Sequence, residues 1–127
     1  MKTPPKRSQF EQIEHTSYIS WFEIPALNLM RAVNFYNYIF SIEMEMAFFP
    51  TKNGIGGAII CGEGSEPSQK GPLIYLNGGN DLNNILLKVE EAGGRVLMHK
   101  QTINETAGCF GLFIDSEGNK LAIHSQH

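Results

Sequence analysis

Read for its apolar and polar positions, the chain has a polar start followed by two similar halves. Residues 1–16 hold two prolines, several charges and few large apolar groups, the pattern of a flexible tail. The pattern changes at "SYISWFEIP", which is rich in aromatic and β-branched residues, ends at Pro25 and reads as a strand. Asn28 then stands at a helix N-cap. Leu29, Ala32, Val33, Tyr36 and Phe40 recur at helical spacing, and Phe35 and Ile39 widen the stripe, so this helix is expected to be buried over much of its girth. In "IEMEMAFFP", Ile42, Met44 and Met46 alternate with Glu43 and Glu45, which predicts a strand with one wet face. "TKNG" reads as a turn and "IGGAIICG" as the returning strand. The polar loop "EGSEPSQKGP", residues 63–72, connects the halves.

The second half starts the series again. "LIYLN" reads as a strand, "GGN" as a turn and Asp81 as an N-cap. Leu82, Ile85, Leu86 and Val89 mark a helix that stops at Gly93 and Gly94. "RVLMHK", "CFGLFID" and "KLAIHSQ" read as strands, with the turn "SEGN" before the last. The halves align: "TKNG" with "SEGN", Ala58 with Ala122, Ile59 with Ile123, Ile60 with His124 and Cys61 with Ser125. A repeat of one helix and several strands must pair with its copy to cover its sheet. Thirty residues separate Asn28 from Ala58 and 41 separate Asp81 from Ala122, so the first half is 11 residues shorter. Its second strand is missing, fused into "IEMEMAFFP", or trimmed.

Composition narrows the class. The 127 residues, 42% hydrophobic and 18% charged, fit one soluble globular domain over 17–127, with modules about 17–62 and 72–126. A net charge of −3 gives no basic face for nucleic acid. No apolar run approaches the roughly 20 residues that span a bilayer, so no membrane partner is expected. "MKTPPKRSQF" is basic but leads into no apolar core of a secretory signal, and a cytoplasmic protein is expected. Cys61 and Cys109 form no C-x-x-C pair and read as free thiols of a reducing compartment.

With these elements in place the chain resembles the vicinal oxygen chelate superfamily, which includes glyoxalase I, the bleomycin-resistance proteins and the extradiol dioxygenases. The residues that carry the likeness are "FEIPALNLMRAVNFYNYIF", "VEEAGGRVLMHK" and "FIDSEGNKLAIHS", within about residues 18–125. The resemblance implies an α+β fold: two βαβββ-type modules, the first shortened, forming curved mixed sheets around a cleft. It also implies a homodimer, which the apolar "NFYNYIF" favours on its own. The superfamily's enzymes hold a divalent metal through His and Glu residues, one from the first and one from the last strand of each module. Those positions fall here on Trp21, Cys61, Ile74 or Tyr75, and Ser125. Tryptophan and isoleucine cannot ligate, serine and tyrosine do so poorly, and one cysteine is too few, so no cofactor is predicted.

Glu23 shares the strand face of Trp21, two residues earlier. In a partly apolar hollow it suits a general base or a hydrogen-bond acceptor for a ligand; otherwise it is a paired structural acid. Trp21 is core or a platform for a planar ligand. The ligand-binding candidates are therefore Trp21, Glu23, Cys61, Tyr75 and Ser125, with Glu23 the candidate catalytic group. Glu23, Cys61 and His124 form an alternative metal set. If Ser125 faces the cleft, His124 faces the other way. His127 reads as frayed, His15 lies in the tail and His99 at a strand end. Asp115, Glu117 and Asn119 surround a tight turn and read as turn chemistry. Three functions are compatible with these residues: a metal-free small-molecule binder, a metal-dependent lyase or dioxygenase with unusual ligands, and a sensing or scaffold domain whose partner is a protein.

Overall fold

A computed structural model describes residues 17–127; the expected tail over 1–16 lies outside the described residues. The first module holds β1 (Trp21–Ala26), α1 (Leu29–Phe40) and β2 (Gly56–Cys61). The second holds β3 (Tyr75–Asn77), α2 (Asn83–Val89), β4 (Arg95–Asn104), β5 (Gly108–Ile114) and β6 (Lys120–Ser125). Among the described residues no helix is long and apolar enough to cross a membrane.

α1 forms where its caps and stripe predict. Asn28 is extended and its side chain accepts from the Arg31 N–H at 3.0 Å, satisfying one of the donors that the first turn leaves unpaired. Ala32, Val33, Phe35, Tyr36 and Ile39 are buried, and Ser41 ends the helix in a left-handed conformation. α2 starts later than expected. Asp81 sits ahead of the helix, its carboxylate accepting from the Asn83 N–H, and the cap position falls to Leu82, which has no side-chain bond to give. The Leu82 N–H is met instead by the Ser125 hydroxyl at 3.1 Å.

The second module's sheet has the order β3-β6-β5-β4, with β3 parallel to β6 and the rest antiparallel. The first module's sheet pairs β1 with β2 in parallel. Equal registers bear out the repeat: Glu23 pairs with Ala58 as Tyr75 pairs with Ala122, and Ile24 with Ile59 as Leu76 with Ile123.

The strand expected over "IEMEMAFFP" does not form. Phe48 N–H donates to the Glu45 carbonyl at 2.9 Å and closes a tight turn, with Met46 and Ala47 both at positive φ (50° and 64°). Ala47–Phe49 then lies along β2: Ile59 N–H donates to Ala47 O and Phe49 N–H to Gly57 O. These three residues stand in for one strand, and the preceding strand has no counterpart. Residues 90–119 carry two full strands of the second module, where residues 41–55 carry the tight turn and this short segment.

Both helices cover one face of the sheets. Ile24, Ala26, Ile59, Leu76, Phe113, Leu121 and Ile123 point toward them and are buried, and Phe35 packs its ring 6.2 Å from that of Phe113. Alternation turns Trp21, Glu23, Tyr75, Lys120, Ala122 and His124 to the opposite, outer face.

A buried polar cluster ties the modules together. Glu117, at the β5–β6 turn, accepts from the N–H groups of Leu27 (2.9 Å) and Asn28 (2.7 Å), from Arg31 Nε (2.7 Å) and Nη2 (3.0 Å), and from the Ser116 hydroxyl (2.9 Å). Asp115 accepts from Tyr36 Oη at 2.7 Å and from the Asn119 side chain, whose amide also donates to Pro25 O at 2.7 Å. Burial works to raise the Glu117 pKa. The Arg31 guanidinium, the Asn28 N–H, Ser116 and the Arg31 charge outweigh it and hold the carboxyl at about 2. Burial and the neighbouring Asp115 push Tyr36 well above the usual phenol range, so it stays a neutral donor.

Candidate functional site

The strand phase of the last strand differs from the expectation. Ser125 is on the helix side, 2% exposed, with its hydroxyl accepting from Leu82 N–H and donating to the His127 carbonyl. His124 takes the outer face, where its Nε2 donates to Ala107 O at 2.5 Å. The family's last-strand position falls on Ser125, but Leu121 and Ile123 take the helix side of "KLAIHS" and the alternation carries Ser125 with them.

Cys61 also follows the helix-side phase of Ile59. It is exposed at the strand end, and its thiol donates to Leu27 O at 3.6 Å; Cys109 is buried and both thiols are free. Trp21 and Glu23 do share the outer face, as their spacing predicted. Trp21 is 46% exposed, with its ring 6.1 Å from that of Phe48. Tyr75, 52% exposed, lies on the second module's outer face with its ring 6.1 Å from Phe110. Ile74 is half-buried in the inter-module groove. Glu23, Cys61 and His124 are not brought together: Glu23 and Cys61 occupy opposite faces of one sheet, and His124 belongs to the other.

These donors do not fit a metal ion. Among the described residues no group of three or more His, Cys, Asp or Glu side chains is placed to hold one. The outer-face positions of β2 and β6 beside Glu23 and Tyr75 are Ala58 and Ala122, which carry no donor at all. No chemical step through a metal follows from this set.

What the fold does place at the junction is a groove of about 310 Å³. Its walls are Glu23, Ile24 and Pro25 of β1, the linker from Glu66 through Ile74, and Asn119–Leu121 at the start of β6. Glu23 therefore lines the groove where the two modules meet, as Lys70 and Lys120 also do. Sequence reasoning missed both lysines, since only the tertiary fold brings the linker and the β6 start against β1. A wider depression of about 620 Å³ lies over the helices, lined by Arg31, Tyr38 and Glu91 among others. Its charged groups are already engaged: Arg31 with Glu117, and Glu91 with Tyr38, a hydrogen bond that raises the Tyr38 pKa. The junction groove is the better candidate site.

No protein-family model and no curated protein matches the chain in sequence. Solved structures match its shape. A glyoxalase-related enzyme from Fulvimarina pelagi superposes with a TM-score of 0.60 at 16% identity, over 84% of this chain and 86% of that one. A glyoxalase/bleomycin resistance protein/dioxygenase family enzyme from Burkholderia phytofirmans gives 0.64 at 13% identity, over 85% and 98%. The chain has the vicinal oxygen chelate fold. A glyoxalase I mutant from Zea mays shares it at 0.62 and 10% identity; there 85% of this chain spans 44% of the maize chain. At such identities the likeness is one of fold, and a vicinal oxygen chelate fold does not by itself fix a reaction. What this chain does must be argued from its groove.

Proposed function

We propose that the protein is a cytoplasmic small-molecule binder of the glyoxalase/bleomycin-resistance type that holds its ligand in the inter-module groove. The supporting observation is the groove itself: about 310 Å³, at the low end of small-ligand pockets, with Pro25, Pro72, Leu73 and Ile74 and the charged Glu23 and Lys120 in its lining. A few placed polar groups in a largely apolar cleft are what ligand sites share. Free Cys61 and Cys109 accord with a reducing compartment. A thermal-shift screen of small organic molecules tests the reading. A true ligand at 100 times its Kd adds about 2.7 kcal/mol of stability, and Glu23→Ala lowers that gain. A screen in which no compound raises the melting temperature, or in which Glu23→Ala responds as the parent does, refutes it.

The chain is further proposed to act as a homodimer. Trp21, Met46, Phe48 and Ile55 stand exposed on the short first module, which its two strands leave uncovered. Light scattering should give twice the 14.2 kDa of one chain, and Phe48→Glu should return it to one. A parent protein that scatters as a single chain at micromolar concentration rules the dimer out.

A further inference from the structure

Two strand edges that border the groove have backbone groups left over. Gly57 and Ile59 use theirs on the Ala47–Phe49 segment. The alternate residues Gly56, Ala58 and Ile60 therefore face β1 and engage Phe22, Ile24 and Ala26. That turns the backbone groups of Glu23 and Pro25 to the other edge of β1. Asn119 takes the Pro25 carbonyl, and the Glu23 N–H and C=O have no partner among the described residues. β3 presents the matching edge. Ile74 O accepts from Ala122 N–H and Gly78 N–H donates to His124 O, so Leu73 and Tyr75 turn theirs away from β6. No backbone bond joins the two edges among the described residues.

The same groove holds two acids, Glu23 and Glu66, and two ammonium groups, Lys70 and Lys120. None of the four is in an ion pair among the described residues, where the pairs are Arg31–Glu117 and Lys100–Asp81. Opposite charges that share a groove without meeting each other are complementary to a ligand carrying both. Unspent strand edges, in turn, recognise an extended amide, as in peptide recognition by strand addition.

We infer that the ligand of this groove is a dipeptide-sized zwitterion. This rests on the groove being the binding site. The ligand's ammonium group lies toward Glu23 and Glu66, its carboxylate toward Lys70 and Lys120, and its amide on the Glu23 and Leu73–Tyr75 edges. Lys120, half-buried, and Glu23, exposed but set on β1, do most of the recognition, because strands fix their backbones, whereas Glu66 and Lys70 are exposed on the linker outside any strand.

Calorimetric titration of the full chain with L-alanyl-L-alanine, its N-acetyl form, its C-terminal amide and the doubly blocked form tests this. The free dipeptide should bind, and each block should weaken binding at least tenfold. Glu23→Gln should abolish the penalty of N-acetylation, and Lys120→Met that of amidation, with circular dichroism showing both variants folded. Doubly blocked peptide that binds as tightly as the free one overturns the zwitterion while leaving the groove a site. If no dipeptide binds, the inference fails, and a hit in the thermal-shift screen that depends on Glu23 would still uphold the broader reading.

Discussion

Replacing Glu117 by glutamine isolates the charge that joins the modules. The parent carboxylate accepts five hydrogen bonds, two of them from Arg31, with its side chain fully buried. Its pKa falls from an ordinary 4.5 to about 2, which corresponds to about 3 kcal/mol of folding free energy. The sign follows from a depressed acid. That stability is fully present above about pH 4.5, where the unfolded chain is also ionised, and is lost as pH falls through about 2. Glutamine keeps one acceptor for the Leu27 and Asn28 N–H groups but turns an NH₂ toward the donors Arg31 and Ser116. Urea unfolding at pH 7 should therefore show Glu117→Gln less stable by about 3 kcal/mol, a large part of the roughly 5–15 kcal/mol typical of a domain. At pH 2.5 the parent should have lost much of this advantage, and the two curves should draw together. Arg31→Met should cost less than Glu117→Gln, because the guanidinium is half-exposed and its loss leaves Glu117 three donors. A Glu117→Gln protein within about 0.5 kcal/mol of the parent at pH 7, the scatter usual for surface changes, would refute the reasoning. So would a difference that is the same at both pH values.

Two further changes test the packing. Tyr36→Phe removes the 2.7 Å bond to Asp115 and leaves a buried carboxylate short of a donor; a loss of about 1–3 kcal/mol is expected in the same urea assay, and an unchanged midpoint would mean that solvent replaces the hydroxyl. Ala47→Gly relieves a left-handed residue in the Glu45–Phe48 turn and should raise stability by up to about 1 kcal/mol; a fall in melting temperature would show that the Ala47 methyl, which is buried, matters more than its φ.

The parts of the fold legible in the sequence are those set by local signals. Asn28 and the stripe from Ala32 to Ile39 define α1 without reference to anything distant, and the Ala58–Ala122 alignment reappears as matching strand registers. "IEMEMAFFP" alternates well enough to suggest a strand, but the turn at Met46 and Ala47 breaks it and leaves only Ala47–Phe49 along β2. Asp115, Glu117 and Asn119 do make a turn, with Glu117 and Asn119 N–H groups on Asp115 Oδ1 at 2.9 Å each. Their other partners, Leu27, Asn28, Arg31, Tyr36 and Pro25, are far away in sequence, so the staple could not be read locally. For the groove, Glu23 was found from its spacing to Trp21. Lys70 and Lys120 were not, since neither carries a local pattern, and Ser125 was lost to strand phase.

The Glu117 contacts span 86–90 positions of chain. On a ribosome the first module emerges complete in length while the acceptor for its Leu27 and Asn28 donors is still untranslated. Its first helix begins with those amides facing water, and a nascent chain stopped after Cys61 should stay protease-sensitive. Such long-range pairing delays consolidation of the first module until Glu117 has left the exit tunnel.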